Sequence, residues 1–566
     1  MNYTDYLFLT LTLIGFVIYF LFPMRYRWIW LLTGSIFFFM TWGVELLPLI
    51  LFLVFLTWGG ARIMDTRYEI CGRDRTMLAA ARKKNKITLF SGITILLFSF
   101  IFIKTQRIPN LAGVSGFFSG MYKSVQQFFL KIRVLNYFVS AGDGGSAVGL
   151  DNFFYHLLGF PKKPTVFSNR SIVLSCWIIP IGFSYYLLSL IGYLVDVYWR
   201  KEKSEKNYFK LLLFTLYFPK ILQGPISKHR TLARQLNEGH EFSYINLKYG
   251  LQLMLWGYAK KLIIADRLAI PVNQIFTNYS QYKGLLLFFG AVLYSLQIYT
   301  DFSGGIDIAR GYSQIIGIDL DINFNHPYFS KSVEEFWRRW HITLGNWMKD
   351  YVFYPLSLSK TFTILSRSSR KFLGQKIGKK LPSIFAMFIV YILVGLWHGP
   401  EMKYLVYGLY NGIIIVSSLL LAEKYNVLLK FLKIDQNSFS WKLFRITRTF
   451  FLITFGRYFS RGIDFSASIQ MIKLTCKNWN IISFPVDGTL LNIGLKISDW
   501  FVLIFALIIL FIVDYYQEKG VRIRETISRQ PIVFRWLLYY AIIFAILIFG
   551  VYGPGFDAAN FIYGNF

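Results

Sequence analysis

The chain has 566 residues, of which 55% are hydrophobic and 19% aromatic, whereas only 16% are charged. A soluble domain carries about a quarter charged residues, so this composition excludes an ordinary water-soluble enzyme. The net charge of +31 would suit a nucleic-acid-binding protein, but the basic residues lie in short connectors between long apolar blocks. That placement argues against nucleic acid as a partner and indicates an integral membrane protein.

Long apolar blocks follow one another along the whole chain. A helix needs about 20 mostly apolar residues to span the hydrocarbon core. The first block has neither a basic stretch before it nor a small-residue cleavage site after it, so it predicts a first span rather than a cleaved signal peptide. Shorter blocks need aromatic flanks to complete them, and with these we predict roughly eleven spans. The blocks nearly free of charge are 7–22, 87–103, 172–195, 284–298, 384–396, 500–513 and 536–551.

The basic connectors predict how the chain is oriented in the membrane. Arg25 and Arg27 follow the first span, segment 62–86 contains eight Lys or Arg residues, and run 360–380 contains seven with no acid. Lys and Arg in short loops favour the cytoplasmic side, where they lie over anionic lipid. The rule puts these connectors on the cytoplasmic side of the membrane and the N-terminus on the outer side.

Three features outside the apolar blocks predict irregular structure and no metal site. The longest stretch without a predicted span is 105–170, which the charge rule puts outside. Segment 219–242 places Pro and Gly close to membrane depth, and such backbone persists only where protein or a water-filled cavity surrounds it. Cys71, Cys176 and Cys476 have no metal-ligand spacing, so we predict no metal site.

Two carboxylates follow one another in segment 299–310. Asp301 comes where an apolar span ends, and Asp307 lies within the next apolar residues with Arg310 three positions on. Ionisable groups at membrane depth are costly and usually face the interior of a helix bundle, and residues three apart on a helix can pair. The pattern predicts either a polar site lined by carboxylates or a structural ion pair that locks two helices.

The next polar motif predicts a single amphipathic helix over 334–347. Ser332 followed by Glu335 is typical of a capping box. The cation of Arg338, one turn away, would help to keep His341 neutral. The alternative is an interfacial helix with tryptophan anchors and a hydrogen-bonded histidine of no catalytic role. On helical geometry, the predicted shared face comprises Glu334, Trp337, Arg338, His341 and Gly345.

His398 is the sharpest single candidate for a catalytic side chain. It ends the apolar run 384–397, between Trp397 on one side and Gly399-Pro400 on the other. Glycine and proline would end the helix there and expose the imidazole to a cavity. Histidine titrates nearest neutral pH and is the commonest general base. The alternative is a histidine that is merely hydrogen-bonded at a helix end.

These motifs together resemble the signature of the membrane-bound O-acyltransferase family. Within it, the chain is most similar to the bacterial branch that holds alginate O-acetylation and D-alanyl teichoic acid transfer proteins. The resemblance covers nearly the whole chain. It departs at 105–170, which is longer than usual, and at the carboxyl end, where Gly-Asn-Phe replaces a common aromatic residue. The motifs that carry it lie at 194–198, 223–225, 299–310, 335–347, 395–399 and 561–563.

The resemblance implies an all-α polytopic membrane protein of roughly eleven transmembrane helices, with re-entrant and interfacial helices around a funnel or tunnel. Along the chain it implies N-terminal spans over 1–171, which include the extracytoplasmic loop 105–170, then a catalytic core over 172–422 and C-terminal spans over 423–566. The branch implies a multi-pass protein of the bacterial inner membrane.

The resemblance also assigns roles to side chains. His398 corresponds to the family's catalytic histidine and would act as general base on an acceptor hydroxyl. His341 corresponds to its second histidine and, with Asn346, would orient donor or acceptor. Asp301 and Asp307 would be structural in the tunnel wall. The other residues expected along the tunnel are Gln223, Ser303, Trp337, Arg338 and Trp397.

The implied reaction is O-acetylation of an exported cell-surface polysaccharide, or of a serine on a partner. The donor would be acetyl-CoA from the cytoplasm or, alternatively, a carrier-protein thioester, and no bound cofactor is expected. The branch further implies an extracytoplasmic partner of the Ser-hydrolase (SGNH) type. D-alanyl transfer toward teichoic acid is the enzymatic alternative. A transporter or flippase is the alternative from another class, although transporters often show paired internal repeats and we find none.

Overall fold

The computed structural model describes residues 3–4, 6–41, 47–72, 74–105, 182–221, 223–477 and 490–552. Loop residues 106–170, Cys176 and the 561–563 motif lie outside these ranges. Within them, the regular structure is helical apart from one antiparallel bridge between Phe324 and Trp340. The predicted all-α class is confirmed for the part of the chain that is described.

The described helices vary in length from single turns to 39 residues, and the longest is interrupted at Gly374, where φ is 76°. Two π-helical segments, Ala259–Ala265 and Lys349–Phe353, continue neighbouring α-helices. In chain order the α-helices are α1 Tyr6–Leu21, α2 Arg27–Met40, α3 Leu47–Cys71, α4 Arg75–Thr105, α5 Phe183–Tyr198, α6 Tyr208–Leu216, α7 Phe218–Ile221, α8 His229–Asn237, α9 Tyr244–Tyr258, α10 Asp266–Thr277, α11 Leu285–Ile315, α12 Val333–Arg339, α13 Ile342–Met348, α14 Tyr354–Ser357, α15 Lys360–His398, α16 Met402–Phe431, α17 Phe439–Arg461, α18 Phe465–Thr475, α19 Ile497–Glu518, α20 Ile523–Ser528 and α21 Ile532–Phe549.

Seven of the described helices are long and apolar enough to cross a membrane. Two shorter apolar helices accompany them, at Phe8–Leu21 and Phe183–Tyr198. The polytopic membrane architecture is therefore confirmed, whereas the count of eleven spans and the funnel stay predictions. The seven are Leu47–Cys71, Arg75–Ile101, Leu285–Ile315, Gly378–His398, Met402–Phe431, Ile497–Glu518 and Ile532–Phe549.

The basic segment 62–86, predicted as a connector between spans, is largely helical. α3 continues to Cys71 and α4 begins at Arg75, so only a short turn separates the two helices. The side-chain amide of Asn85 donates to the carbonyl oxygen of Met64 at 2.9 Å and ties the helices together. The helices extend past their apolar windows because each helix satisfies its own backbone hydrogen bonds, whatever the charge of its side chains.

α11 is the most buried of the seven candidate spans, and α9 packs directly against it. A Cβ atom added at Gly257 would lie 2.7 Å from the carbonyl oxygen of Gly304, and one at Gly250 would lie 2.6 Å from that of Gly311. Glycines at such spacings let two helix backbones touch inside a membrane. The contact holds the π-helical segment after α9 beside the carboxylates of α11.

Candidate functional site

His341 lies between two helices rather than within one. α12 ends at Arg339 and α13 begins at Ile342, so the single helix predicted over 334–347 is wrong. The predicted shared face, which would have put Arg338 one turn from His341, does not form. His341 instead has a left-handed backbone with φ of 47°, which is uncommon for a residue other than glycine.

The break comes from a pairing with a distant segment. Trp340 forms the antiparallel bridge with Phe324, and the N–H of Ile342 donates to the carbonyl oxygen of Asn323 at 3.0 Å. The side-chain oxygen of Asn323 also accepts the N–H of Thr343 at 3.0 Å. These bonds hold the backbone on both sides of His341, so the surrounding structure determines where the imidazole lies.

The predicted capping box is confirmed in one half. Ser332 Oγ accepts the N–H of Glu335 at 3.1 Å, but the carboxylate of Glu335 accepts the N–H of Lys331 at 2.9 Å rather than that of the cap residue. Arg338 is exposed on the outer side of α12 and pairs with Glu334 at 3.1 Å. The structure therefore places Arg338 apart from the two histidines.

Aromatic rings surround His341, which is 3% exposed. Its ring centroid lies 4.9 Å from that of Phe302, 5.7 Å from Trp397 and 6.1 Å from Tyr185. Burial lowers the pKa of His341 to about 3, because desolvation disfavours the charged imidazolium. The prediction of a neutral His341 stands, but burial is the cause and Arg338 is not.

His398 ends its helix, as the sequence predicted. α15 stops at His398, and the N–H of Gly399 still reaches the carbonyl oxygen of Gly395 at 3.3 Å. The imidazole is partly buried, with its centroid 6.1 Å from the ring of Tyr404 and 6.0 Å from the ring of Tyr407. Both tyrosines belong to α16, so the packing of α15 on α16 positions the imidazole.

Trp397 connects the two histidines. Its ring centroid lies 5.7 Å from that of His341 and 4.9 Å from that of His398. Tyr185 of α5 packs against both Trp397 and His341. We call His341 and His398, with Trp397 between them, the histidine pair. The structure thus brings together three residues that the sequence analysis singled out from two motifs.

Trp337 and Asn346, also predicted for the site, lie beside the histidine pair rather than within it. Trp337 donates from its indole N–H to Asn411 Oδ1 at 3.2 Å, and its ring lies 6.4 Å from that of Tyr407. Asn346 is exposed and lines a cleft of about 670 Å³. The cleft reaches Ile342 and Thr343, the first turn after His341, and so gives that side of the site an opening.

The carboxylates of α11 are held by lysines from the π-helical segment. Lys261 Nζ lies 2.7 Å from Asp301 and 2.8 Å from Asp266, and Lys260 Nζ lies 2.7 Å from Asp307. We call these five residues the charge network. Both lysines and two of the carboxylates are almost fully buried, and buried charges of this kind are stable only when paired.

The charge network supports the structural alternative rather than a catalytic role for its carboxylates. Asp307 pairs with Lys260 and not with Arg310, whose Nε donates to the carbonyl oxygen of Leu320 at 3.2 Å. Ser303 accepts from Lys260 at 2.9 Å, and Gln223 donates to Asp301 at 3.3 Å. These contacts fix the turn of α11 that carries Phe302 against His341.

Several residues around the site were missed from the sequence. Lys260 and Lys261 lie within an otherwise apolar stretch, and two adjacent cations at membrane depth were a signal that could have been read. Arg457 of α17 offers a weaker signal, because the same helix also carries Arg445, Arg448 and Arg461. Tyr185 carries none, since one tyrosine among many apolar residues does not stand out.

Comparison with known proteins finds similarity to acyltransferases. The family model described as the membrane-bound O-acyltransferase family matches residues 200–369, which contain the charge network and His341. A "probable alginate O-acetylase" of Pseudomonas syringae pv. tomato is 25% identical over 453 residues, which cover 76% of this chain and 78% of that protein. This match and this relative support the assignment of the chain to the membrane-bound O-acyltransferase family. The chain is an acyltransferase.

Other relatives of this acyltransferase differ in the polymer that their names mention. A peptidoglycan O-acetyltransferase of Helicobacter pylori is 30% identical over 262 residues, which cover 42% of this chain and 46% of that protein. A teichoic acid D-alanyltransferase of Bacillus subtilis is 29% identical over 297 residues, which cover 50% of this chain and 69% of that protein. The similarity therefore extends over about half to three quarters of the length of these relatives.

The histidine pair combines an imidazole at the end of a helix with one that is fully buried. His398 can take a proton from a hydroxyl, and its imidazole is partly exposed at the end of α15. His341 is neutral, so it can donate one hydrogen bond and accept another without adding charge. The surrounding rings lower the local dielectric, which strengthens hydrogen bonds formed within the site.

Proposed function

We propose that this acyltransferase moves an acetyl group from a cytoplasmic thioester to a hydroxyl of an exported cell-surface polysaccharide, or to a serine of a partner protein. The observation that carries the proposal is the histidine pair, in which His398 lies at a helix end across Trp397 from the buried His341. The names of the relatives add support, because they mention O-acetylation of alginate and of peptidoglycan.

His398 acts as the general base in this reaction. Its imidazole accepts the proton of the acceptor hydroxyl as the oxygen attacks the acyl carbon. The bond between carbon and sulfur then breaks, and the imidazolium returns the proton to the departing thiolate. His341 stays neutral throughout and orients the bound acyl group or acceptor through a hydrogen bond.

The donor reaches the site from the side of the cleft. The cleft opens next to His229 and Lys228 and extends to the residues that follow His341. Basic surface such as the exposed part of the 360–380 run attracts an anionic donor, and acetyl-CoA is the donor that we propose. A carrier-protein thioester is the alternative, and the same acyl chemistry applies to both.

The proposal includes an extracytoplasmic partner of the Ser-hydrolase type, which would complete transfer to the polysaccharide. The second candidate function is D-alanyl transfer toward teichoic acid. It is favoured by the Bacillus subtilis relative, because the aligned region covers 69% of that protein. The transporter alternative has less support, because residues 200–369 match an acyltransferase family.

The experiment that tests the proposal identifies the acyl group chemically. The full-length chain and its His398→Ala variant are produced at equal membrane abundance in the native cell, which supplies the partner, after deletion of the chromosomal copy. Surface polymers are then treated with mild base, and the released acid is identified by mass spectrometry. Acetate released only with the wild-type chain supports O-acetylation, and D-alanine supports the second candidate. Release of neither acid with the wild-type chain contradicts both.

A further inference from the structure

Arg457 is a buried cation close to the aromatic residues that surround the histidine pair. Its side chain is 2% exposed, and the guanidinium carbon lies 5.1 Å from the centre of the Trp340 ring. Nη1 donates to the hydroxyl oxygen of Tyr407 at 3.4 Å. An arginine keeps its charge at any physiological pH, so a full positive charge lies beside these aromatic rings.

The contacts with Trp340 and Tyr407 connect Arg457 to the chain segments that carry His341 and His398. Trp340 immediately precedes His341 in the chain, and the ring of Tyr407 meets the imidazole of His398 nearly at right angles, with centroids 6.0 Å apart. A buried cation is costly, and apolar side chains of similar size serve packing equally well or better. The position of Arg457 therefore points to an electrostatic role at His398 rather than to packing alone.

We propose that Tyr407 donates a hydrogen bond to the oxyanion that forms beside His398, and that Arg457 is the positioning residue for this hydroxyl. The inference rests on the proposed acyl transfer. The oxygen of Tyr407 accepts a hydrogen bond from Arg457, so its own hydrogen points away from the guanidinium and is available to a substrate. The adjacent positive charge makes that hydroxyl a stronger donor.

The hydrogen bond acts at one step of the reaction. The acceptor oxygen adds to the thioester carbon while His398 takes the hydroxyl proton, and the carbonyl electron pair moves onto the carbonyl oxygen. Tyr407 donates to that negative oxygen without losing its proton. The electron pair then re-forms the carbonyl, the bond between carbon and sulfur breaks, and His398 gives its proton to the thiolate.

The test measures the initial rate of base-labile ester formation on surface polymers in cells that produce the full-length chain. Rates are divided by the amount of protein in the membrane. Tyr407→Phe is expected to lower the rate about 10²- to 10³-fold, as loss of one oxyanion donor does in other enzymes. Arg457→Gln is expected to lower it about 10-fold or more, and Arg457→Lys to recover part of that loss. The double variant Tyr407→Phe/Arg457→Gln is expected to be no slower than Tyr407→Phe alone, because both changes remove one interaction.

Matched controls come from the next turn of the same two helices. The hydroxyl of Tyr410 donates to the carbonyl oxygen of Leu452 at 2.8 Å, and Nη2 of Arg461 donates to Asn273 Oδ1 at 2.6 Å. Tyr410→Phe and Arg461→Gln should therefore keep a rate within about threefold of wild type, since changes away from a site shift stability and activity little.

Three results would overturn the inference: a wild-type rate in Tyr407→Phe, losses that multiply in the double variant, or no advantage of Arg457→Lys over Arg457→Gln. If Arg457→Gln does not accumulate, Tyr407→Phe and Arg457→Lys decide the matter. His398→Ala in the same series separates this inference from the proposed function. A wild-type rate in His398→Ala contradicts the proposed function, whereas an inactive His398→Ala beside a fully active Tyr407→Phe contradicts only the role of Tyr407.

Discussion

The histidine pair and the charge network are two buried polar regions that meet at one turn of α11. In the charge network, lysine and carboxylate atoms lie 2.7–2.8 Å apart, so each charge is held by an opposite charge. In the histidine pair, aromatic rings surround the imidazoles, and burial keeps His341 neutral. Phe302 belongs to both regions, because it follows Asp301 and packs on His341. The comparison indicates that paired charges hold the structure here, whereas the proposed chemistry lies with the histidine pair.

Removing a cation from the charge network should have the largest effect on stability. Lys261→Met removes the ammonium that Asp301 and Asp266 share, and breaking a buried pair typically costs about 3–5 kcal/mol. Thermal unfolding of the purified protein in detergent, together with its abundance in membranes, measures the loss. Lys283→Met is the matched control, because Lys283 is exposed. Equal stability of the two variants would contradict the view that the charge network stabilises the fold.

The neutrality of His341 predicts how stability depends on pH. The folded protein has a His341 pKa of about 3, against the usual 6.5, so only the unfolded state binds this proton between those values. The free energy of unfolding is therefore highest above pH 6.5 and decreases as pH falls below it, by up to about 1.4 kcal/mol per pH unit. Melting temperatures at pH 7.5 and 5 should therefore differ more for the wild type than for His341→Gln. Parallel pH curves for the two proteins would contradict a neutral, buried His341.

The close contact of α9 and α11 offers a milder way to disturb the charge network. Gly257→Ala places a Cβ atom 2.7 Å from the carbonyl oxygen of Gly304, so the helices must separate. We expect a loss of about 1 kcal/mol or more, read as a lower melting temperature. Gly34→Ala on α2 is the control, because a Cβ atom there meets nothing within 4 Å. If both variants melt alike, the close contact of the glycines does not support the network.

Replacing Arg338 should have the smallest effect of these changes. It tests whether burial or a nearby cation keeps His341 neutral. Its ion pair with Glu334 is exposed, and such pairs contribute about 0–1 kcal/mol. Arg338→Ala should leave ester formation and the pH dependence of melting almost unchanged. A steeper or shallower pH dependence in this variant would show that the cation, and not burial, determines the protonation of His341.

Sequence reasoning recovered what depends on local pattern. Apolar runs predicted the membrane helices, because span length and hydrophobicity are properties of a single segment. His398 was found because Gly399 and Pro400 end an apolar run directly after it, and the structure ends α15 at that residue.

Features that depend on distant pairing could not be read from the sequence. The helix break at His341 needs Phe324 to pair with Trp340, and no local signal in 334–347 indicates it. Arg310 was one possible partner for Asp307 because the two are neighbours on a helix, yet the partner is Lys260 on another element. The contact between Arg457 and Tyr407 likewise joins two helices that lie apart in the chain.

The most direct test of the central claim compares the two histidines in the same cells. Base-labile ester on surface polymers is measured for wild type, His398→Ala, His341→Ala and the control His240→Gln, whose imidazole bonds to the Gln235 carbonyl. All four proteins are compared at equal membrane abundance. The account predicts ester at background level in His398→Ala, a strong reduction in His341→Ala and the wild-type amount in His240→Gln. Ester at the wild-type level in correctly inserted His398→Ala would contradict it.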